Sequence, residues 1–112
     1  MIHPSDMMRS YIIDMETLNL AQQAGMFCES LRGIDVSAFE DAKFYYDADE
    51  PYAVHFIWDK EDMRIQFSFK ADEDDSVWMV SRGRRRFRSP IGNDRDKACR
   101  EFLEAVKEVI QS

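Results

Sequence analysis

From Tyr11 onward, Leu20, Ala24, Phe27, Cys28 and Leu31 recur at spacings of three and four, the repeat that gathers side chains on one face of a helix. Gly33 directly after Arg32 supplies the stop, and Arg32 sets a positive charge against the negative end of the helix dipole. The start has two solutions. Ser5 or Asp6 caps a long helix, or Asp14 caps a shorter one and Tyr11-Ile12-Ile13 forms an early turn or an extended arm. Met7, Met8, Tyr11 and Ile12 give residues 1–12 an apolar face. That segment is expected to be a mobile arm, or to dock on its own core, on a partner or on the second copy of a homodimer.

After Lys43 the period falls to two. Residues 43–47 make a short strand, and 52–58 a second with Val54, Phe56 and Trp58 on one side. In the third, Met63, Ile65, Phe67 and Phe69 alternate with Arg64, Gln66, Ser68 and Lys70, so one face is buried and the other wet. Residues 76–81 and 84–88 make the fourth and fifth. The links 48–51, 59–62 and 71–75 are short and polar, which fits hairpins and leaves no room for parallel crossovers.

Ser89-Pro90-Ile91-Gly92 ends the sheet, and Asn93 or Asp94 caps a last helix. There Ala98, Cys99, Phe102, Val106, Val109 and Ile110 form the apolar stripe, opposite Arg100, Glu101, Glu104, Lys107 and Glu108. The pattern predicts an α+β fold: an antiparallel meander of four or five strands, with an N-terminal and a C-terminal helix packed on one face.

Composition narrows the class. With 112 residues, 45% apolar and 12% aromatic, residues 1–112 fit one domain with a packed core, not a disordered acidic tail. Two cysteines, Cys28 and Cys99, are too few for a disulfide-dense secreted scaffold and read as small buried residues, one on each helix. No stretch approaches the roughly 20 apolar residues of a membrane helix, and no basic-then-apolar secretory signal stands at the start. The expectation is a soluble cytoplasmic domain with no membrane partner.

Charge adds structure to this. The formal net charge is -7, yet five of the 15 basic residues fall in Arg82-Gly83-Arg84-Arg85-Arg86-Phe87-Arg88. The remaining ten bases face 22 acids, so the rest of the chain carries -12. If Arg82-Gly83 is a two-residue turn, Trp78 lies opposite Phe87 and Val80 opposite Arg85. Arg84, Arg86 and Arg88 then share the other face with Ser81, Met79 and Val77, a basic stripe suited to phosphate or to a carboxylate-rich partner. The alternative is that these arginines pair with the chain's own Asp59, Glu61 and Asp62.

The acids cluster too. Asp47, Asp49 and Glu50 fall at the first hairpin tip, and Asp72, Glu73, Asp74 and Asp75 at the third. Alternate turns of a meander lie at one end of the sheet, which makes an acidic pole. Oxygen ligands are abundant there for a hard cation, but neither run has the alternating ligands, central Gly and distal Glu of an EF-hand. A solvated turn that discourages edge pairing and a field that steers a basic protein are the other readings.

Catalytic motifs do not emerge. His3 and His55 lack partners at metal-ligand spacing, and there is no Cys-x-x-Cys, glycine-rich phosphate loop, G-x-S-x-G or H-E-x-x-H. The sequence nominates no catalytic residue, metal ligand or cofactor, and His55 reads as a surface histidine turned away from Val54, Phe56 and Trp58. Three function classes follow. The first is a non-enzymatic interaction protein (adaptor, inhibitor, immunity protein or chaperone) that binds a protein through Asp49, Glu50, Asp72, Glu73, Asp74 and Asp75 and through Met79, Arg84, Arg86 and Arg88. The second is a nucleic-acid binder using the arginine strand, which the overall acidity opposes. The third is a small-molecule or metal-binding domain.

Overall fold

The ambiguous N-terminal pattern resolves into two helices. The computed structural model describes residues 3–39, 41–49, 52–92 and 94–111. Helix α1 (Pro4–Ile12) begins at His3, whose Nδ1 accepts a hydrogen bond from the Ser5 amide at 3.1 Å. Pro4 suits this start, because its missing N–H would have no partner in the first turn. Helix α2 (Leu18–Arg32) follows Thr17 and stops at Gly33. Neither expected start is used: Ser5 and Asp6 lie within α1, and Asp14 lies in the connection.

Residues 4–12 pack on the chain's own core. Met8 is fully buried, Ile12 packs against the core, and the Tyr11 ring stacks on Tyr46 at 4.2 Å. The Cys28 thiol donates to the Ser5 carbonyl at 3.2 Å, which ties α1 to α2. Met1 and Ile2, the first residues of the expected arm, lie outside the described residues.

The sheet is a five-stranded antiparallel meander in the order β1 (Lys43–Asp49), β2 (Ala53–Lys60), β3 (Met63–Lys70), β4 (Val77–Arg82) and β5 (Arg85–Pro90). Each strand pairs with its neighbour in sequence. Helix α3 (Arg95–Gln111) closes the fold, with the Asp94 carboxylate accepting from the Lys97 amide at 3.0 Å as its cap. Asn93, the other expected cap, lies outside the described residues. The architecture is α+β.

Alternation sets what is buried. Val54, Phe56, Trp58, Ile65, Phe67, Phe69 and Val80 point to the helix side and are all at most 1% exposed. Phe102 of α3 meets Phe67 at 5.0 Å, Phe27 of α2 at 5.6 Å and Trp78 at 5.8 Å. Each such side chain contributes roughly 1.5–3 kcal/mol by leaving water. Gln23 of α2 fixes the upper end, its amide donating to the Lys70 carbonyl at 3.0 Å. Among the described residues, no helix is long and apolar enough to cross a membrane.

One turn differs from the sequence expectation, with consequences for the arginines. Arg82 pairs with Arg85, so the two central residues are Gly83 and Arg84, not Arg82 and Gly83. Gly83 has φ +60, and a turn with positive φ at its first central residue needs glycine there. Relative to the expected register the strands slide by two residues. Phe87 lies opposite Val80 instead of Trp78, Arg86 sits beside Ser81, Arg88 sits beside Met79, and Arg84 moves out to the turn tip. A slide of two keeps each side chain on its face, so Arg86 and Arg88 still project away from the helices.

Candidate functional site

The helices cover one face of the sheet, and the other face is bare. The register places Tyr45, Ile57, Gln66, Met79 and Arg88 in one row across it, and Asp47, His55, Ser68, Val77 and Pro90 in the next. Ile57, Val77 and Met79 are half-buried by their neighbours, while Tyr45 is 50% exposed. On β1 this face carries Asp47 and Asp49 towards the first turn and Lys43 at the opposite end, whereas the charges of β5 on it, Arg86 and Arg88, are all positive. Between them lie Ile57, Gln66, Met79, His55, Ser68 and Val77, with the paired Asp59 and Arg64 at one end and Lys70 at the other.

Towards β5 the face deepens into a hollow of about 340 Å³ bordered by His55, Gln66, Ser68, Lys70, Asp75, Val77, Met79, Arg86 and Arg88. Its floor is hydrogen-bonded. Ser68, 6% exposed, shares a bond with Nδ1 of His55 at 2.9 Å and accepts from the Gln66 amide at 3.4 Å. The first bond fixes the imidazole, the second the hydroxyl it meets, and Nε2 of His55 is left without a hydrogen-bond partner among the described residues. At the top, the Ser76 hydroxyl accepts from the Lys70 amide at 2.8 Å, holding the start of β4 against the end of β3.

The arginine run divides into two sets. Arg82 donates to the Val109 carbonyl at 3.0 Å and lies 4.0 Å from Asp62. Arg85 bonds Glu108 at 2.5 Å and stands over the Phe87 ring at 5.7 Å. Both are committed to the fold. Asp59, an expected partner of the run, instead binds Arg64 through two bonds of 2.6 and 3.0 Å. Among the described residues no carboxylate lies within ion-pair distance of Arg84, Arg86 or Arg88.

Beyond β5 a second groove of about 440 Å³ runs between that edge strand and α3, with Arg86 and Arg88 on one side and Glu101, Glu104 and Glu108 on the other. Two of the three glutamates are engaged, Glu108 with Arg85 and Glu101 with Lys97 at 3.8 Å.

The acid-bearing turns do lie at one end of the sheet. The Ala71 amide donates to the Tyr52 carbonyl at 2.9 Å, which joins the first and third links. Their carboxylates are not equivalent, however. Glu73 is half-buried and forms a two-point ion pair with Arg95 at the start of α3, Nε to Oε2 at 3.2 Å and Nη2 to Oε1. Asp72 accepts from the Asp74 amide at 3.0 Å and so caps its own 3₁₀ turn. Asp49, Asp74 and Asp75 are exposed, and Glu50 lies outside the described residues. Among the described residues, no group of three or more His, Cys, Asp or Glu could hold a metal ion.

The thiols are buried and free. Burial raises Cys28 above its ordinary value, against the opposing pull of Arg9, and burial likewise raises Cys99 against a hydrogen bond from Ser30.

Sequence reading named Met79, Arg86 and Arg88 at this face but passed over His55, Gln66, Ser68 and Lys70 beside them. Alternation marked these four as outward-facing. Only the pairing of His55 with Ser68, and of β3 with β4, brings them to one hollow. No protein-family model, curated protein or solved structure matches the chain.

Proposed function

We propose that this chain is a non-catalytic interaction protein that docks a partner protein on the bare face of its sheet, gripping it through Met79, Arg86 and Arg88. The observation that carries this reading is the contrast across the face between Asp47 and Asp49, towards the first turn on β1, and Arg86 and Arg88 on β5, over the apolar side chains of Ile57, Val77 and Met79. An apolar centre with charged margins is the anatomy of a protein interface, and Met and Arg are enriched at such contacts. The partner's complementary surface is acidic opposite β5 and basic opposite β1. A phosphate backbone laid across the same face would meet Asp47 and Asp49, which favours a protein over a nucleic acid. The exposed Asp49, Asp74 and Asp75 at the adjoining end, with the cap Asp72, form the second contact region.

The test is affinity capture from nuclease-treated lysate with the wild type, Arg84→Glu and the double variant Arg86→Glu/Arg88→Glu. The captured protein is then purified and titrated against all three. The reading predicts that the double variant binds roughly a hundredfold or more weakly, because each reversed charge at an interface costs several kcal/mol, while Arg84→Glu stays close to wild type. A partner held equally by all three, or capture of nucleic acid alone without nuclease, contradicts it.

A further inference from the structure

The hollow has a charge and shape that narrow what it takes. Lys70, Arg86 and Arg88 against the single carboxylate Asp75 leave a surplus of two positive charges around it. The polar groups come from three strands: His55 on β2, Gln66 and Lys70 on β3, Arg86 and Arg88 on β5, with the lysine and the two arginines as the charged donors. In a chain of net charge -7, other arginines have found acids: Arg9, Arg32, Arg64, Arg82, Arg85 and Arg95 all sit in ion pairs. Arg86 and Arg88 have none among the described residues; of the glutamates across the neighbouring groove Glu101 and Glu108 are already paired, and Glu104 lies beyond ion-pair distance of both arginines.

We propose that this hollow binds a phosphate monoester dianion, presented by a phosphorylated side chain of the partner. The inference rests on the reading of the bare face as a protein-docking surface and names the group that face selects. A carboxylate would leave one of the two surplus charges unmatched, whereas a dianion matches both. A phosphate monoester also has three oxygens for donors that approach from both sides, and arginine forks fit pairs of them. At about 340 Å³ the space exceeds one phosphate group and sits at the low end of ligand pockets, so the carrying side chain fits with it. Arg88 lies across from Met79 and Arg86 across from Ser81, and the Ser68 bond holds His55 in place, so part of the ordering cost is met before binding.

The experiment is thermal unfolding and calorimetric titration of the full chain at constant ionic strength. The probes are inorganic phosphate, sodium chloride, and the blocked tripeptide Gly-phosphoserine-Gly with its serine and glutamate counterparts. The proposal predicts that phosphate and the phosphotripeptide raise Tm by about 4 °C or more at tenfold their Kd. The phosphotripeptide binds more tightly than inorganic phosphate, and the glutamate tripeptide roughly tenfold more weakly than the phosphorylated one. Arg86→Gln and Arg88→Gln each lower phosphate affinity by roughly tenfold, and Arg84→Gln by less than about twofold. Chloride matching phosphate, glutamate matching phosphoserine, or Arg84→Gln matching Arg86→Gln overturns the proposal. If phosphate fails while Arg86→Glu/Arg88→Glu still abolishes partner binding, the hollow is misassigned and the docking face stands. If phosphate binds at Arg86 and Arg88 but partner binding ignores them, the docking face is the part that fails.

Discussion

Nη2 of Arg85 lies 2.5 Å from Oε2 of Glu108, on the helix side of the sheet. One residue further along β5, Arg86 points to the bare side and meets no carboxylate among the described residues. Strand alternation thus separates neighbouring arginines, one tied into the fold and one on the face proposed to meet a partner. Arg85→Ala is expected to cost about 0.5–1 kcal/mol in urea unfolding, as an exposed pair should, and to leave partner affinity unchanged. Equal losses of affinity on Arg85→Ala and Arg86→Ala would contradict this division.

Phe102 is the contact through which α3 holds the sheet, touching Phe67, Phe27 and Trp78 together. Phe102→Ala is expected to destabilise the fold by about 3–5 kcal/mol, through lost burial and the cavity left behind. Urea unfolding measures it, and a loss under about 1 kcal/mol would mean that α3 does not depend on this ring.

Glu61 sits at φ 55 in the two-residue turn between β2 and β3, in the left-handed region that disfavours a side chain. Replacing it by glycine relieves that strain but adds freedom to the unfolded chain. The balance predicts a net gain of up to about 1 kcal/mol for Glu61→Gly, and a loss for Glu61→Val. The order of the three melting temperatures checks it.

Cys28 and Cys99 carry raised pKa values because burial penalises their thiolates. A raised folded-state value means that the unfolded chain ionises first. Their contribution to stability is therefore complete below the ordinary thiol range and declines as pH rises through it. At neutral pH both thiols should react with an aromatic disulfide reagent only as fast as the protein opens, and immediately in denaturant. Rapid labelling of one thiol in the folded protein would contradict the burial described for it.

The fold was largely legible because its signals are local. Met63, Ile65, Phe67 and Phe69 alternate strictly, and Ala98, Cys99, Phe102 and Val106 keep a helical spacing, so element type needed no knowledge of neighbours. The break at 13–17 was harder. The apolar spacing runs through Tyr11, Ile12 and Met15 without a glycine or proline to interrupt it, and Thr17 forms no side-chain cap bond to announce α2. The turn frame at Gly83 was not local either. Two-residue turns centred on Arg82-Gly83 and on Gly83-Arg84 both accept a glycine with positive φ, and only the pairing of Arg82 with Arg85 separates them. The hollow was least legible, since His55, Ser68 and Arg88 are remote in sequence and share a site only through the registers of four strands.

The central claim is that Met79 lies under a partner protein. The most direct measurement is site-specific photocrosslinking from a benzoylphenylalanine at position 79, with the same probe at position 107 on the exposed side of α3 as the comparison. The account predicts a protein adduct from position 79 that disappears in the Arg86→Glu/Arg88→Glu background, and none of that mass from position 107. The same adduct from both positions, or one from position 79 that survives the charge reversal, would contradict it.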